Sequence, residues 1–500
     1  MSVFASQTGN IAYEVSIIPR ETTGDISFGF QKAAAVGASF TNPLLQQVVT
    51  GVEGLASSLS TTYQYTIVGN PESGRAEIYY HFESGLPWEH QQTITGAQYS
   101  GTQPRFGEAV KISENNSAYI GVPYSMVEGV EERGAVSVVS LWDTGRIGGT
   151  TGSEWGQDSF ITGDPVGSGH FGSSVDVVST MGNYIGIGAP GENAVYIFNN
   201  TSYTLQKKIE KPSVIPEVGF GARVKMITGT PGNGVAVATY ESGSGSISIF
   251  QEAAGAGWGH TQTIYGPVAE SGDLFGASLD VESDTLAIGA PNFTMSTQSG
   301  RAYIYAYSSE DNLWNLNQTL TPATSLGEGD RFGKNLALNG TTLGIASNAH
   351  SGSVHIFTYT TTWSDTSQVS GSGVLVSGAF GGDGTGSPNI SIYNKDILIG
   401  TTSEDKFYYF SQGANTGDAE VDFSFSGQSG KFYDNDGNYV MSYLSGQALN
   451  ISGNVFTGYH NYFINGVLTN SVCSRNPTEI DSYYLSGTGG LASFYIRVNS

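Results

Sequence analysis

One glycine-rich run has residue types and spacing that could bind a cofactor. Gly167-Ser168-Gly169-His170-Phe171-Gly172 fits the Gly-x-Gly-x-x-Gly pattern that holds the pyrophosphate of a dinucleotide. That chemistry requires the pattern to open a helix, because the N-terminal amides of the helix bind the phosphates. No helical pattern follows here, so we interpret the run as a loop leading into a strand, and we predict no cofactor.

One acidic run offers oxygen ligands for calcium. In Asp434-Asn435-Asp436-Gly437 the glycine would have to stand sixth in an EF-hand loop, with a glutamate twelfth. That alignment places Phe432 first and Tyr443 last, and neither side chain can ligate calcium. The run instead predicts a hairpin turn.

Hydrolytic motifs are absent from the sequence. There is neither a Gly-x-Ser-x-Gly elbow nor a His-Glu-x-x-His motif, and the 7 histidines are scattered. His81, His90 and His260 fall in or beside predicted outer strands, which favours a solvated role. Glu131-Glu132 is an acidic pair in a loop with no catalytic partner in the sequence. We therefore predict no catalytic residue.

Composition and charge limit the class of protein. The chain has 500 residues, 38% hydrophobic and 12% aromatic, which is enough for a large core. Its 20 basic and 44 acidic residues give a net charge of -24, which would repel a nucleic acid. No run of 18 apolar residues occurs, so we expect no membrane insertion.

Processing signals and cysteines give little information about the class of protein. Residues 1–10 have neither a basic nor an apolar segment, which predicts no secretory signal. Cys473 is the single cysteine, so an internal disulfide and a cysteine-based metal cluster are excluded.

The elements that must position any site are short strands. Residues 273–320 contain four of them, joined by turns and without helical periodicity. The second run ends at Pro291, which has no N–H to continue a strand ladder. The four runs are residues 277–281, 285–291, 301–305 and 314–320.

Six other stretches repeat this unit, each with a Phe-Gly pair followed by an apolar run such as Ile187-Gly188-Ala189-Pro190. A repeat of this length indicates stacked units that cannot bury their own faces. The seven pairs are Phe28-Gly29, Phe106-Gly107, Phe171-Gly172, Phe220-Gly221, Phe275-Gly276, Phe332-Gly333 and Phe380-Gly381.

These residues resemble the Phe-Gly/Gly-Ala-Pro (FG-GAP) repeat family, whose best-known member is the head of the integrin alpha subunit. The resemblance covers residues 13–411. It implies an all-β fold, a seven-bladed β-propeller. A four-stranded blade has two apolar faces that neighbours must cover, and radial closure leaves only short, protected edges.

The last blade needs a strand from elsewhere, because residues 380–410 supply only three. Residues 13–18 precede the first Phe-Gly pair as residues 314–320 precede the sixth, so we predict that 13–18 close the ring. The predicted propeller spans residues 1–412. Residues 31–62 are then an insertion in its first blade, which either caps the propeller edge or docks a partner chain.

The repeat stops after residue 412. Residues 413–500 alternate as short strands and predict a small C-terminal β-sandwich or barrel-like domain. Its many tyrosines either form the core or provide an adhesive surface, since tyrosine offers a broad contact area at little entropic cost.

Calcium is the metal that the resemblance suggests. Integrin-type blades hold it in a loop resembling Asp-x-Asp-x-Asp-Gly between their first and second strands. The corresponding turns here, such as Glu282-Ser283-Asp284 and Asn339-Gly340-Thr341, are too short or too poor in carboxylates for six or more oxygen ligands. We therefore predict no metal site.

The resemblance also places ligand contacts on the loops that join second to third strands and each blade to the next. Exposed aromatic and neighbouring side chains in such loops contribute more to binding than to stability. The candidate ligand-binding residues are Tyr99, Tyr124, Met126, Phe293 and His350.

Together these features predict a non-enzymatic recognition protein. We expect a virion surface component, such as a fibre, spike or tail protein, that binds a host-surface protein or glycan and other virion proteins. A bacterial extracellular or cell-surface adhesin is the alternative, and a glycan-acting enzyme with paired carboxylates is a third hypothesis. A homo-oligomer stays open, although no heptad repeat enforces one.

Overall fold

A computed structural model describes most of residues 44–411 and, toward the two ends of the chain, strands only. The chain divides into two units, one formed by Asn42–Ser411 and the other by Met1–Thr41 together with Gln412–Ser500. The described residues of both units are all-β apart from a single 3-10 turn, Pro190–Glu192. The larger gaps in the first unit are residues 51–57, 82–87, 144–152, 179–182, 268–272, 293–299, 371–388 and 402–405.

The unit Asn42–Ser411 is a seven-bladed β-propeller, as predicted. Each blade is a four-stranded antiparallel sheet. Blades 1 to 3 consist of β5 (Ser58–Thr61), β6 (Tyr65–Asn70), β7 (Arg75–Tyr80) and β8 (Glu89–Thr95); β9 (Val110–Ile112), β10 (Ser117–Val122), β11 (Ala135–Asp143) and β12 (Ser153–Ile161); and β13 (Ser174–Val178), β14 (Tyr184–Ala189), β15 (Ala194–Asn199) and β16 (Leu205–Glu210).

In the next three blades, as in the first three, the strands are given in order from the axis outward. These blades consist of β17 (Arg223–Ile227), β18 (Gly234–Thr239), β19 (Ser246–Ala253) and β20 (Gly257–Tyr265); β21 (Ser278–Glu282), β22 (Thr285–Ala290), β23 (Arg301–Ser308) and β24 (Leu313–Leu320); and β25 (Leu336–Asn339), β26 (Thr342–Ser347), β27 (Ser353–Tyr359) and β28 (Trp363–Ser370).

Blade 7 combines both ends of the propeller. Its inner strands are β29 (Ile390–Tyr393), β30 (Asp396–Gly400) and β31 (Lys406–Ser411), and its outer strand is β4 (Leu44–Thr50). Lys406 pairs with Thr50 and Ser411 with Leu44. The innermost strands contact one another in sequence from blade 1 to blade 7, and β29 contacts β5 to complete the ring.

A strand preceding the first blade therefore closes the propeller, but it is not the predicted one. β2 (Ala12–Thr22) contains residues 13–18, and it pairs with β39 (Gly490–Asn499) instead of with β31. The predicted insertion 31–62 contains the true closing strand, β4, and the first strand of blade 1, β5. The propeller boundary is thus residue 42 and not residue 1, because the closing strand lies immediately before blade 1.

The Phe-Gly pairs correspond to blades with two exceptions. Five of them precede the innermost strands of blades 2 to 6, from Phe106 to Phe332. Phe28-Gly29 lies instead in β3 (Ser27–Lys32), which pairs with β32 (Ala419–Ser426) outside the propeller. Phe380-Gly381 lies outside the described residues.

The second unit contains strands from both ends of the chain, so the predicted C-terminal domain 413–500 omits part of it. Its strands not yet given are β1 (Ser2–Ser6), β33 (Gly430–Tyr433), β34 (Tyr439–Tyr443), β35 (Leu449–Phe456), β36 (Tyr459–Ile464), β37 (Val467–Cys473) and β38 (Glu479–Gly487). One sheet has the order β1-β2-β39-β38-β33-β34 and the other β3-β32-β35-β36-β37. Whether the two sheets form a sandwich or a barrel stays a prediction.

The Phe-Gly pairs of blades 2 to 6 lie at the interfaces with the preceding blades. The five phenylalanines are at most 1% exposed and fill the space between blades. In blade 4 the Gly221 N–H donates to the carbonyl of Ala238 on the second strand, and its carbonyl accepts the Ser174 hydroxyl of blade 3 at 2.9 Å. Ser58 and Ser278 make the same inter-blade bond.

A glutamine joins the outer strands of neighbouring blades. Gln92 Nε2 donates to the Trp155 carbonyl at 2.7 Å, and Gln92 Oε1 accepts the Trp155 N–H at 2.8 Å. Satisfying both backbone groups of an outer strand holds adjacent blades in register. The same two bonds occur in the pairs Gln47–Trp88, Gln262–Trp314 and Gln318–Trp363.

Candidate functional site

The antiparallel order of the strands brings two classes of loop to one end of the ring. Loops between second and third strands and connections between blades lie together at this end, which we call the upper face. Two contacts show it directly, because Gly134 and Gly300, at the ends of second-to-third-strand loops, form isolated bridges with Phe171 and Phe332 of the next blade. Loops commonly carry binding residues on a rigid scaffold of this kind.

Tyr99, the first candidate residue, lies in the connection from blade 1 to blade 2. Its ring stacks between two others, with centroid distances of 5.5 Å to Phe106 and 5.6 Å to Phe160. Phe106 is fully buried, whereas Phe160 is 44% exposed. Burial raises the pKa of the Tyr99 hydroxyl. The Tyr99 ring therefore supports the exposed ring of Phe160, because it lies between Phe160 and Phe106.

Tyr124 and Met126 lie in the loop between the second and third strands of blade 2. Both are half-buried. The Tyr124 ring lies 4.7 Å from the ring of His170, whose Nε2 is 3.4 Å from Glu132 Oε2. The Met126 N–H donates to the Ser100 carbonyl at 2.6 Å, which ties this loop to the connection that carries Tyr99.

Three of the five candidate residues thus gather on the upper face over blades 1 to 3. Phe293 and His350 lie outside the described residues, so the structure does not place them. Whether any of the five binds a ligand stays a prediction.

The loop that carries Tyr124 and Met126 has a fixed shape. Val127 and Val130 exchange two backbone hydrogen bonds, and the Gly134 N–H donates to the Ser125 carbonyl. Beneath the loop, the guanidinium of Arg133 is 3% exposed and pairs with Glu128 at 2.8 Å. A loop held by its own hydrogen bonds and by a buried arginine side chain loses little freedom when a partner binds.

Sequence reasoning missed Phe160. It lies near the end of an outer strand, where an exposed aromatic residue is unremarkable in sequence. The structure stacks its ring on that of Tyr99, a loop residue 61 positions earlier. The sequence carries no signal for that contact.

A cavity of about 420 Å³ runs along the propeller axis and is lined by the innermost strands. Four successive blades contribute a charged residue of alternating sign: Lys111, Asp176, Lys225 and Asp280. Lys111 Nζ lies 2.8 Å from Asp176 Oδ1, and Lys225 Nζ lies 3.0 Å from Asp280 Oδ1. Each stands five residues after its Phe, a regularity that the sequence does contain.

The pKa values of Asp176 and Lys225 follow from their burial and from their charged partners. Burial alone would raise the pKa of Asp176, but Lys111 and Lys225 outweigh it and hold that pKa below its usual value. Burial alone would lower the pKa of Lys225, but Asp280 and Asp176 raise it above the ordinary range. The Met226 N–H also donates to Asp176 at 2.8 Å. These charges therefore hold the blades together and leave no free acid or base among them.

Two further findings, on metal ligands and on membrane-spanning helices, apply to the described residues alone. Within the described ranges, no group of three or more His, Cys, Asp or Glu side chains is placed to hold a metal ion. Across those same ranges, no helix is long and apolar enough to cross a membrane.

Comparison with known proteins identifies one repeat directly. The model of the FG-GAP repeat matches residues 258–305, which run from the outer strand of blade 4 into the third strand of blade 5. No curated protein is significantly similar to the chain. The matched residues include Phe275-Gly276 and the Gly289-Ala290-Pro291 run that follows it.

Proposed function

The chain belongs to the FG-GAP repeat family of β-propellers, as its matched repeat and its seven blades show, and on this premise we propose that it recognises a partner surface through its upper face over blades 1 to 3. FG-GAP propellers are recognition- and adhesion-type folds, typically without catalytic activity. A function is still a property of a site on the fold, so the upper face has to carry the argument.

The observation that carries the proposal is the gathering of aromatic side chains on a rigid part of this face. Phe160 is exposed over Tyr99, and Tyr124 packs against His170 beside the loop that Met126 anchors. Aromatic residues supply much of the energy at recognition surfaces, and prior ordering of their loops reduces the entropic cost of binding.

The pairing of the charged residues that line the axis supports a non-enzymatic role. The carboxylates of Asp176, which is buried, and Asp280, which is half-buried, are each paired with a lysine and accept a backbone N–H from the next blade. A glycan-cleaving site needs one carboxyl group held protonated and a second one ionised across a cleft. The arrangement of these two favours a structural role over catalysis.

We place this recognition at the surface of a virion, as a fibre, spike or tail component that contacts a host-surface protein or glycan and other virion proteins. The composition supports this setting, since only 13% of residues are charged and the chain has 69 glycines and 28 tyrosines. Such a surface relies on uncharged polar groups and tyrosine contacts, as adaptable binding surfaces do. A bacterial extracellular adhesin is the second candidate, because its surface would need the same chemistry.

Binding of the labelled full-length protein to host cells, measured by flow cytometry, tests the proposal. We expect saturable binding that falls at least tenfold in the double variant Tyr124→Ala, Met126→Ala. The matched control is Tyr359→Ala, since Tyr359 is 42% exposed at the opposite end of blade 6.

Mass spectrometry of purified particles tests the virion setting separately. The protein should be found in the particles at a fixed ratio to the other structural proteins. If it is absent from particles but present on a bacterial cell surface, the adhesin replaces the virion component. If it neither binds cells nor occurs in particles, the proposal is wrong.

A further inference from the structure

Phe160 presents one face of its ring to solvent on the upper face of the propeller. Tyr99 covers the other face, with a centroid distance of 5.6 Å and an angle of 27° between the ring planes. Phe106, fully buried, backs Tyr99 at 5.5 Å and 28°. The exposed ring is therefore the outermost of three stacked rings, and its orientation is fixed by the two beneath it.

The rim of this ring is made of amides. Gln98 precedes Tyr99 in the chain, and Gln157 lies on the same strand as Phe160. Both are exposed, and Gln98 Nε2 donates to Gln157 Oε1 at 3.4 Å, a long and solvent-accessible hydrogen bond. Each amide keeps further donor and acceptor capacity for a ligand.

This combination matches the chemistry of a sugar. A pyranose ring presents a flat face of C–H groups, which packs on an aromatic face, and hydroxyls at its edge, which both donate and accept hydrogen bonds as amides do. An apolar peptide would leave the rim amides without partners, which costs binding energy. The net charge of -24 disfavours an acidic sugar.

We propose that Phe160, Gln98 and Gln157 form a subsite for one uncharged hexose residue of a glycan, with the pyranose stacked on the exposed face of Phe160. This assignment rests on the proposed recognition function and names the class of partner that the upper face takes. Tyr99 and Phe106 are positioning residues in this subsite, because they act through Phe160.

Saturation-transfer NMR on the full-length protein tests the subsite with three probes: methyl β-D-galactopyranoside, methyl β-D-glucopyranoside and methyl α-D-mannopyranoside. We expect at least one probe to receive saturation at the C–H protons of one ring face. Phe160→Ala should abolish that signal, and Gln157→Ala should weaken binding of the same probe at least threefold.

Tyr265→Ala is the matched control, since Tyr265 is 43% exposed at the upper end of the outer strand of blade 4. It should leave the sugar signal unchanged. The subsite is wrong if none of the three sugars binds, or if Phe160→Ala and Tyr265→Ala behave alike. If Phe160→Ala weakens cell binding while no sugar binds or competes, the ring contacts a protein, and the glycan assignment fails although the recognition function stands.

Discussion

Asp176 shows how a single charged side chain joins three blades of the propeller. It is 5% exposed, pairs with Lys111 of blade 2 and accepts the Met226 N–H of blade 4. An isolated carboxylate at this depth would be unstable, so its charge depends on the lysines on both sides. The alternation of lysine and aspartate thus favours one order of neighbouring blades over any other.

The effect of Asp176→Asn on stability should depend on pH. Because the pKa of Asp176 is lowered in the folded protein, its carboxylate stabilises the fold above the ordinary value of 3.8, and this contribution is lost as the pH falls through the folded pKa. At pH 7 we expect the substitution to lower the free energy of unfolding by about 2 kcal/mol. The loss should be smaller than for a fully buried ion pair, because Lys111 is 30% exposed.

Urea unfolding at pH 7 and at several values below 3.8 measures this difference. The gap between wild type and Asp176→Asn should close as the pH falls. Glu131→Gln, in an exposed loop, serves as control and should follow the wild type throughout. A gap that persists unchanged at the lowest pH would contradict the assignment of the effect to charge.

In blades 1, 2, 3 and 5, the second strand contains a glycine that has no room for a side chain. A Cβ on Gly188 would stand 1.9 Å from the Gly221 carbonyl oxygen of the next blade, and one on Gly289 would stand 2.0 Å from that of Gly333. The first glycine of the Gly-Ala-Pro run is therefore needed because the next Phe-Gly pair packs directly on it. The two halves of the repeat meet across the blade interface.

Gly188→Ala should consequently destabilise the propeller by about 1–3 kcal/mol, the usual range for overpacking a tight interface. Gly259→Ala is the matched control, because a Cβ there would meet no atom within 4 Å. Alanine is better than glycine within a strand, so the control should be neutral or slightly more stable. Thermal unfolding followed by circular dichroism distinguishes them, and equal losses in the two variants would refute the packing argument.

For the whole molecule, ring closure depends on one strand contributed from before blade 1. β4 completes blade 7 by pairing with β31, and Gln47 joins it to the backbone of Trp88 in blade 1. Without β4, β31 would be an unpaired edge strand, and such edges promote aggregation. The pairing partners of residues 13–18 lie in the second unit, so those residues are not needed for closure.

Two truncations should therefore behave differently. A fragment of residues 42–411 should fold as a propeller with cooperative thermal unfolding, whereas a fragment of residues 51–411 should aggregate or unfold at a markedly lower temperature. Size-exclusion chromatography and circular dichroism measure both outcomes. If the shorter fragment is equally stable, β4 is not the strand that closes the ring.

The recurring Phe-Gly and Gly-Ala-Pro runs correctly predicted an all-β, seven-bladed propeller, although Phe28-Gly29 lies outside it. They succeed because each reflects a contact that recurs at most blade interfaces: Phe171 fills the space beside its neighbour, and Gly188 admits the next backbone. The regular position of Lys111 and Asp176, five residues after each Phe, likewise stands in the sequence.

The tertiary structure alone decided which strand closes the ring and which aromatic side chain is presented on the upper face. Residues 13–18 and Leu44–Thr50 are both apolar strand-forming runs, and only the position of blade 7 beside blade 1 selects the second. Phe160 meets Tyr99 because the connection from blade 1 to blade 2 packs beside the outer strand of blade 2. Local pattern fixes what every blade shares, whereas contacts between distant residues depend on how the closed ring brings them together.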